Sequence, residues 1–254
     1  MIETAIRAAK EAGKILLDNF GKIKKISSKQ DAALTSLVTN VDLKAEEKIA
    51  QIISQAYPDH DILSEEKVRT AKSSRYRWII DPLDGTHNYI RQIPLFGVCI
   101  ALSCQGEVIM GVVNLPYFNQ MFTAEKGKGA YLNGEKIAVS KRSLNEVTMI
   151  YDSSIRFDKK NMFDHLGRLV DKIFNVRMFG SSSQNLSLLA RGCVDLCIEY
   201  SDKPWDFAAG ALIVEEAGGK VTDFDGNRWT TDTKRYVASN GKIHQEVLRI
   251  LKSL

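Results

Sequence analysis

The sequence predicts an α+β protein whose helices and sheets stack in layers over two subdomains, residues 1–140 and 141–254. Three observations predict it. Apolar residues recur at helical spacing through the first 56 positions. Short apolar or β-branched runs separated by glycine turns fill the stretch from 77 to 137. From 159 onward, helical and strand patterns alternate.

The first helix is read from Ile2, Ala5, Ile6, Ala9, Ala12, Leu16 and Phe20, with Gly21 as its stop. Charges at Glu3, Arg7, Lys10, Glu11 and Lys14 break up the apolar positions, so this segment is an amphipathic helix and not a signal peptide. A second helix turns Val41, Ala45, Ile49, Ile52, Ile53 and Ala56 inward and Lys44, Glu47, Lys48 and Gln51 outward. Strands follow at Arg77 to Ile80, near 96–103 and near 107–114, the last two joined by a Gln105-Gly106 turn. Phe118 to Ile137 reads as further strands with turns at Gly127, Gly129 and Asn133-Gly134. Then come a helix near 159–173, a strand near 175–179, a helix near 183–190 and a strand at 194–199. A helix near 206–217 ends at Gly218-Gly219, before strands near 220–223 and 235–239 and a closing helix at 242–252.

Composition narrows the class. Of 254 residues, 44% are hydrophobic and 26% charged, the balance of a soluble globular chain. The net charge of +4, with no run of five or six like charges, gives no reason to expect nucleic acid or an anionic membrane as partner. No apolar stretch approaches the length of a membrane span. Cys99, Cys104, Cys193 and Cys197 lie in apolar, strand-like runs without zinc spacing, so they are read as reduced core residues of a cytoplasmic protein.

The chemistry gathers in four short segments: Thr39-Asn40-Val41-Asp42, Ser64-Glu65-Glu66, Asp81-Pro82-Leu83-Asp84-Gly85-Thr86 and Pro204-Trp205-Asp206. Asp81 directly follows an apolar strand and so stands at a sheet's C-terminal edge, where α/β proteins build their sites. Pro82 is expected to stop that strand, Gly85 to allow a tight turn, and Gly85, Thr86 and His87 to open a helical turn whose free N–H groups suit a phosphate. Two carboxylates beside a phosphate would repel it, and a hard dication shared by both resolves the conflict. Each segment also has a plain reading. Asp42 could be a first-turn carboxylate with Thr39 as the cap, and Asp206 an N-cap. Glu65 and Glu66 could be a solvated corner, and the DxxDG loop a simple turn. Their joint occurrence is what favours a site. His87 is the histidine nearest the loop, and metal-activated water chemistry does not require it; His60, His165 and His244 are read as surface residues.

The segment Trp78-Ile79-Ile80-Asp81-Pro82-Leu83-Asp84-Gly85-Thr86-His87-Asn88-Tyr89 resembles the first signature of the inositol monophosphatase family. Pro204-Trp205-Asp206-Phe207-Ala208-Ala209-Gly210, through Glu215-Glu216-Ala217-Gly218-Gly219, resembles its second, and the likeness in motif order runs along essentially the whole chain. The resemblance implies a layered α-β-α-β-α sandwich of the sugar-phosphatase type, lithium-sensitive Mg²⁺ phosphatase activity and a homodimer. It implies two to three Mg²⁺ ions per site: Glu65, Asp81 and the Leu83 carbonyl for the first, Asp81, Asp84 and Asp206 for the second, and Glu65 with waters for a weaker third. Thr86 and Asp42 would orient or activate the attacking water, together with Glu65, and Gly85 and Thr86 would bind phosphate through backbone N–H groups. Gly180-Ser181-Ser182 matches a loop lining the sugar pocket. Glu199, seven residues before Asp206, matches an acid that reads substrate hydroxyls. Its own surroundings agree, since Val194, Leu196 and Ile198 alternate to one face and leave Asp195, Cys197 and Glu199 on the other. The loop from Lys29 to Thr35 departs from the family's spacing, so no metal-site lysine is assigned there.

The function expected is hydrolysis of inositol-1-phosphate, or a similar small polyol or sugar phosphate, by metal-activated water. His87-Asn88-Tyr89 fits the inositol-phosphate and fructose-1,6-bisphosphate branches, so fructose-1,6-bisphosphatase activity is the first alternative. Histidinol-phosphate, NADP and 3′-phosphoadenosine 5′-phosphate follow it. A haloacid-dehalogenase-type phosphatase is excluded, because its aspartates are separated by one residue near the N-terminus and here two residues separate them at position 81. A noncatalytic interaction protein on the same fold is the alternative of another class.

Overall fold

A computed structural model describes residues 1–22, 26–28 and 37–252. Helices α1 (Ile2–Asn19) and α2 (Asn40–Ala56) form where the apolar period predicts them. α1 buries a stripe of small residues, Ala5, Ala8, Ala9 and Ala12, which lets it lie close to its neighbours. On α2 the inward face holds Val41, Ala45, Ile49, Ile52 and Ile53 but also two carboxylates, Asp42 and Glu46, while Ala56 is exposed.

Both helices cover one face of a seven-stranded sheet. Its strands are β3 (Asp61–Ser64), β4 (Tyr76–Asp84), β5 (Gly97–Cys104), β6 (Glu107–Leu115), β7 (Gln120–Glu125), β8 (Ala130–Leu132) and β9 (Glu135–Lys136), in that spatial order. Only β3 and β4 pair in parallel. A two-stranded ribbon, β1 (Ile26–Ser28) with β2 (Leu37–Thr39), precedes them. The side chain of Thr39 and the loop 29–35 lie outside the described residues.

Strand periodicity decides which layer each residue joins. Trp78, Ile80, Val98, Ile100 and Leu102 point toward α1 and α2. Ile79, Cys99, Ala101, Val113 and Phe122 point the other way, onto α5 (Ser182–Ala190) and α6 (Pro204–Glu216). α6 is apolar around its whole circumference from Phe207 to Val214, as a helix sandwiched between two sheets must be. Its backbone comes so near β6 that a Cβ on Gly111 would stand 2.6 Å from the Ala209 carbonyl oxygen.

The second sheet runs β11 (Asn175–Arg177), β10 (Thr148–Tyr151), β12 (Leu196–Glu199), β14 (Tyr236–Ser239) and β13 (Lys220–Thr222), with the first three parallel. α4 (Lys159–Val170) and α7 (His244–Lys252) close its outer face around Met149, Tyr151, Leu196, Ile198 and Val237. The layers are therefore α-β-α-β-α, and one apolar cluster spans residues on both sides of position 140. Among the described residues no helix is long and apolar enough to cross a membrane.

Several expectations need correcting. The four-residue strand β10 carries no polar alternation because both its faces are covered, which hid it in the sequence. Val194 precedes β12 and packs with Cys197 rather than with Leu196 and Ile198. Cys193 is exposed in the turn after α5, whereas Cys99 and Cys197 are core residues. The three histidines read as surface residues are packed instead. His60 is stacked between Tyr57 and Tyr76 and accepts the Trp78 indole N–H at 3.1 Å. The His165 Nδ1 meets the Tyr200 hydroxyl at 2.8 Å. His244 is fully buried between the Thr222 and Ser239 hydroxyls.

Candidate active site

β4 does not stop at Pro82. It continues to Asp84 through an irregularity between Asp81 and Asp84, and Pro82, which has no N–H to give, occupies the gap in the ladder. The kink presents both aspartates at one sheet end. Asp81 accepts the Leu83 N–H at 2.9 Å, closing an Asx turn, and the Thr86 hydroxyl donates to the Leu83 carbonyl at 2.9 Å. Gly85 caps α3 (Thr86–Ile90) with φ 79°; a Cβ there would stand 2.7 Å from the Leu95 carbonyl oxygen, so only glycine fits. His87 is exposed, whereas Asn88 turns inward and donates to the carbonyls of Leu95 (3.0 Å) and Phe179 (2.7 Å). That side chain ties the Gly180 loop to the β4 corner.

Glu65 leaves the end of β3 beside β4, and Asp206 stands at the third position of α6, where it accepts the Lys203 N–H at 2.6 Å. Asp206 is therefore not the N-cap, which is Lys203; from inside the first turn its carboxylate reaches back to the N-cap N–H. Burial first, then the neighbouring charges of Glu65, Asp84 and Asp206, hold the Asp81 carboxyl well above the ordinary range. Asp206 is raised by burial and by Asp202, Glu65 and Asp84. Burial raises the Tyr89 phenol on α3, and the charge of Asp42, buried on α2, adds to that shift.

The carboxylate of Asp84 sits over the start of α5. It accepts the Ser181 hydroxyl, the Ser183 hydroxyl at 2.5 Å, the Ser183 N–H at 2.9 Å and the Ser182 N–H at 3.2 Å. A helix N-terminus and two hydroxyls together favour its ionised form against the burial that raises its pKa. The Ser182 hydroxyl reaches Asp202 at 2.8 Å, so the serine loop serves two carboxylates.

Glu199 ends β12 and is 3% exposed, so it does not face bulk solvent. Asn185 of α5 donates to it at 2.8 Å, while burial, Asp202 and Asp152 push its carboxyl up. Asp202 accepts Tyr236 and Ser182, both at 2.8 Å, yet burial still lifts it to about 7. Asp152, Asn185 and Asp202 were not singled out in the sequence. Asp152 follows the hidden strand β10, and Asp202 lies in a turn where an aspartate carries no distinctive spacing. Asn185, three residues beyond Ser182 on a helix, could have been found by asking what pairs with a buried Glu199.

Among the described residues no group of three or more His, Cys, Asp or Glu side chains is already arranged to hold a metal ion. The fit of a hard dication rests on the donor set: the charges of Glu65, Asp84 and Asp206 act on Asp81, those of Glu65 and Asp84 act on Asp206, and all four carboxylates offer oxygen.

The sequence profile of the inositol monophosphatase family matches residues 1–254. The fructose-1,6-bisphosphatase/inositol-1-monophosphatase of Thermotoga maritima is 35% identical, covering 100% of this chain and 96% of that protein. The Nus factor SuhB of Escherichia coli is 36% identical, covering 98% and 94%. Among solved structures, the extragenic suppressor protein SuhB of Bartonella henselae has a TM-score of 0.94 at 33% identity, covering 99% and 98%. An IMPase/NADP phosphatase complexed with Mg²⁺ and phosphate has a TM-score of 0.83 at 25% identity, covering 96% and 92%.

Proposed function

The chain belongs to the inositol monophosphatase family, and from that premise we propose that it is a Mg²⁺-dependent phosphomonoesterase acting on inositol-1-phosphate or a similar small polyol or sugar phosphate. The observation that carries this reading is the convergence of the Glu65, Asp81, Asp84 and Asp206 carboxyl groups where β4, the β3 end and α6 meet. Glu65, Asp81 and the Leu83 carbonyl would hold one ion, Asp81, Asp84 and Asp206 a second, and Glu65 with waters a weaker third. When bound, Mg²⁺ supplies Lewis-acid stabilisation of the negative charge that develops during phosphoryl transfer to water.

The remaining steps fall to the chain's own groups. The Thr86 hydroxyl gives its one proton to the Leu83 carbonyl, so its oxygen is left to accept a hydrogen bond from the attacking water and aim it. Asp42 lies toward the same helix and completes that orientation. The N–H groups of Gly85 and Thr86, ahead of the first intrahelical bond of α3, bind phosphate oxygens. The serine loop from Gly180 to Ser182 holds Asp84 in place at the substrate's edge, and Glu199, kept in line by Asn185, accepts hydrogen bonds from substrate hydroxyls.

Fructose-1,6-bisphosphate is the first alternative substrate, favoured by the double name of the Thermotoga relative. A second, noncatalytic role is suggested by the relatives named Nus factor SuhB. Phosphate release from inositol-1-phosphate, fructose-1,6-bisphosphate, histidinol phosphate, NADP and 3′-phosphoadenosine 5′-phosphate, with and without Mg²⁺, tests the reading. Turnover of a polyol or sugar phosphate that excess EDTA abolishes is the expected result. No Mg²⁺-dependent release from any of them would leave the noncatalytic role as the better account.

A further inference from the structure

Helix α2 buries two carboxylates one turn apart on a single face, Asp42 and, four residues on, Glu46, which is 1% exposed. A carboxylate so far from water needs its lone pairs filled. Both oxygens of Glu46 are filled by neutral donors from one loop. Oε2 takes the Ser64 hydroxyl at 2.7 Å and the Glu66 N–H at 2.9 Å; Oε1 takes the Lys67 N–H at 2.9 Å and the Val68 N–H at 2.8 Å. Three successive backbone N–H groups converging on one anion form a nest, the geometry that usually cradles a bound ion. Here the anion belongs to the protein.

The donors bracket Glu65. Ser64 precedes it and the nest begins immediately after it, while its own N–H is held by the Ile80 carbonyl at 3.1 Å, on the strand that carries Asp81. The backbone on both sides of Glu65 is therefore fixed to α2, and its position relative to β4 is fixed by the sheet. We propose that Glu46 is a positioning residue for Glu65: it shapes the 64–68 turn around a buried carboxylate so that the Glu65 side chain is aimed at Asp81 and Asp206 before a cation arrives. The inference rests on the reading of Glu65 as a Mg²⁺ ligand. It makes α2 the strut of the site, with Glu46 holding the β3 corner.

Two measurements on the whole protein test this. Amide hydrogen exchange of the metal-free protein reports the nest directly: Glu46→Gln, which sets an NH₂ group against the N–H donors, is expected to remove protection at Glu66, Lys67 and Val68. Calorimetric titration with Mg²⁺ then asks whether the turn matters to the metal. Partners that orient a ligand typically contribute about 10- to 100-fold in metal affinity, and a loss of that size is expected in Glu46→Gln. In a Glu65→Gln background the same substitution should cost nothing further, because its effect passes through Glu65. Should Glu46→Gln fail to fold, Ser64→Ala removes a single donor and must weaken Mg²⁺ binding in the same Glu65-dependent way. Wild-type affinity in Glu46→Gln, or an equal loss with and without Glu65, overturns the positioning role while leaving the phosphatase reading intact. Absence of Mg²⁺ binding by the wild-type protein overturns both.

Discussion

Two corners of the site hold carboxylates in opposite ways. At the β4 corner, Asp81 has one backbone hydrogen bond and three like-charged neighbours. At the β12 corner, Glu199 is as deeply buried and Asp202 half-buried; like charges press on both, but each is met by neutral donors: Asn185 for one, Tyr236 and Ser182 for the other. The second corner is furnished by the protein and is suited to meeting further neutral donors, such as hydroxyl groups. At the first, Asp81 has a single donor among like-charged groups, a setting that a cation would suit. Asp84 belongs to both, since it faces Asp81 while the start of α5 satisfies it.

The contrast breaks most sharply at Asp84. Asp84→Asn is expected to lower Mg²⁺-dependent turnover by about 10²–10³-fold, the usual loss on removing one dominant electrostatic stabiliser, with the fold retained. Steady-state kinetics beside thermal unfolding measures both; an active Asn variant would mean that the first corner needs no cation.

The corners also set the sign of the pH dependence. Asp81 and Asp206 are raised above their ordinary value of 3.8, so ionising them costs more in the folded chain than in the unfolded one. The stability of the metal-free protein should therefore fall as pH climbs above that value, and Mg²⁺ should restore it. His244, remote from the site, acts in the opposite sense. Burial lowers its pKa from 6.5 to about 4, so its neutral form is favoured and stability is lost as pH drops below 6.5 toward 4, by about 3 kcal/mol in all. Chemical denaturation across pH, with His244→Gln as the control, separates the two slopes. A His244→Gln variant with an unchanged acid limb would contradict the assignment.

These predictions bear on how much could be read from the residues alone. The layers, the order of the helices and the acidic loops were legible, because periodicity and glycine turns are local signals. Asp81, Asp84 and Asp206 were legible because each closes a recognisable element. What escaped detection depends on tertiary pairing. β10 is apolar on both faces, and Glu46 looks like any surface glutamate among Lys44, Glu47 and Lys48 until the 64–68 turn is seen folded over it. Pro82 reads as a stop because a proline cannot donate to a ladder, yet at an irregularity no donation is required.

Smaller effects sharpen the second corner. Glu199→Gln should reduce turnover of inositol-1-phosphate about 10- to 150-fold, the worth of a charge-assisted hydrogen bond, and affect an aryl phosphate far less. Equal losses on both substrates would move Glu199 into the electrostatics of the first corner. Ser183→Ala removes one of the hydroxyls on Asp84 but leaves the backbone N–H in place. Its cost should be only about 0.5–1.5 kcal/mol, or about 2- to 12-fold in rate. A loss as large as that of Asp84→Asn would show that the helix start alone cannot hold the carboxylate.

Mg²⁺ titration of the metal-free protein by calorimetry, in buffers of different ionisation enthalpy near pH 6, tests directly whether the first corner takes a cation. Because burial and like charges raise Asp81 and Asp206, Mg²⁺ binding should be coupled to proton release, giving a buffer-dependent heat that disappears in Asp81→Asn. Binding without proton release, or binding that Asp81→Asn leaves unchanged, would contradict it.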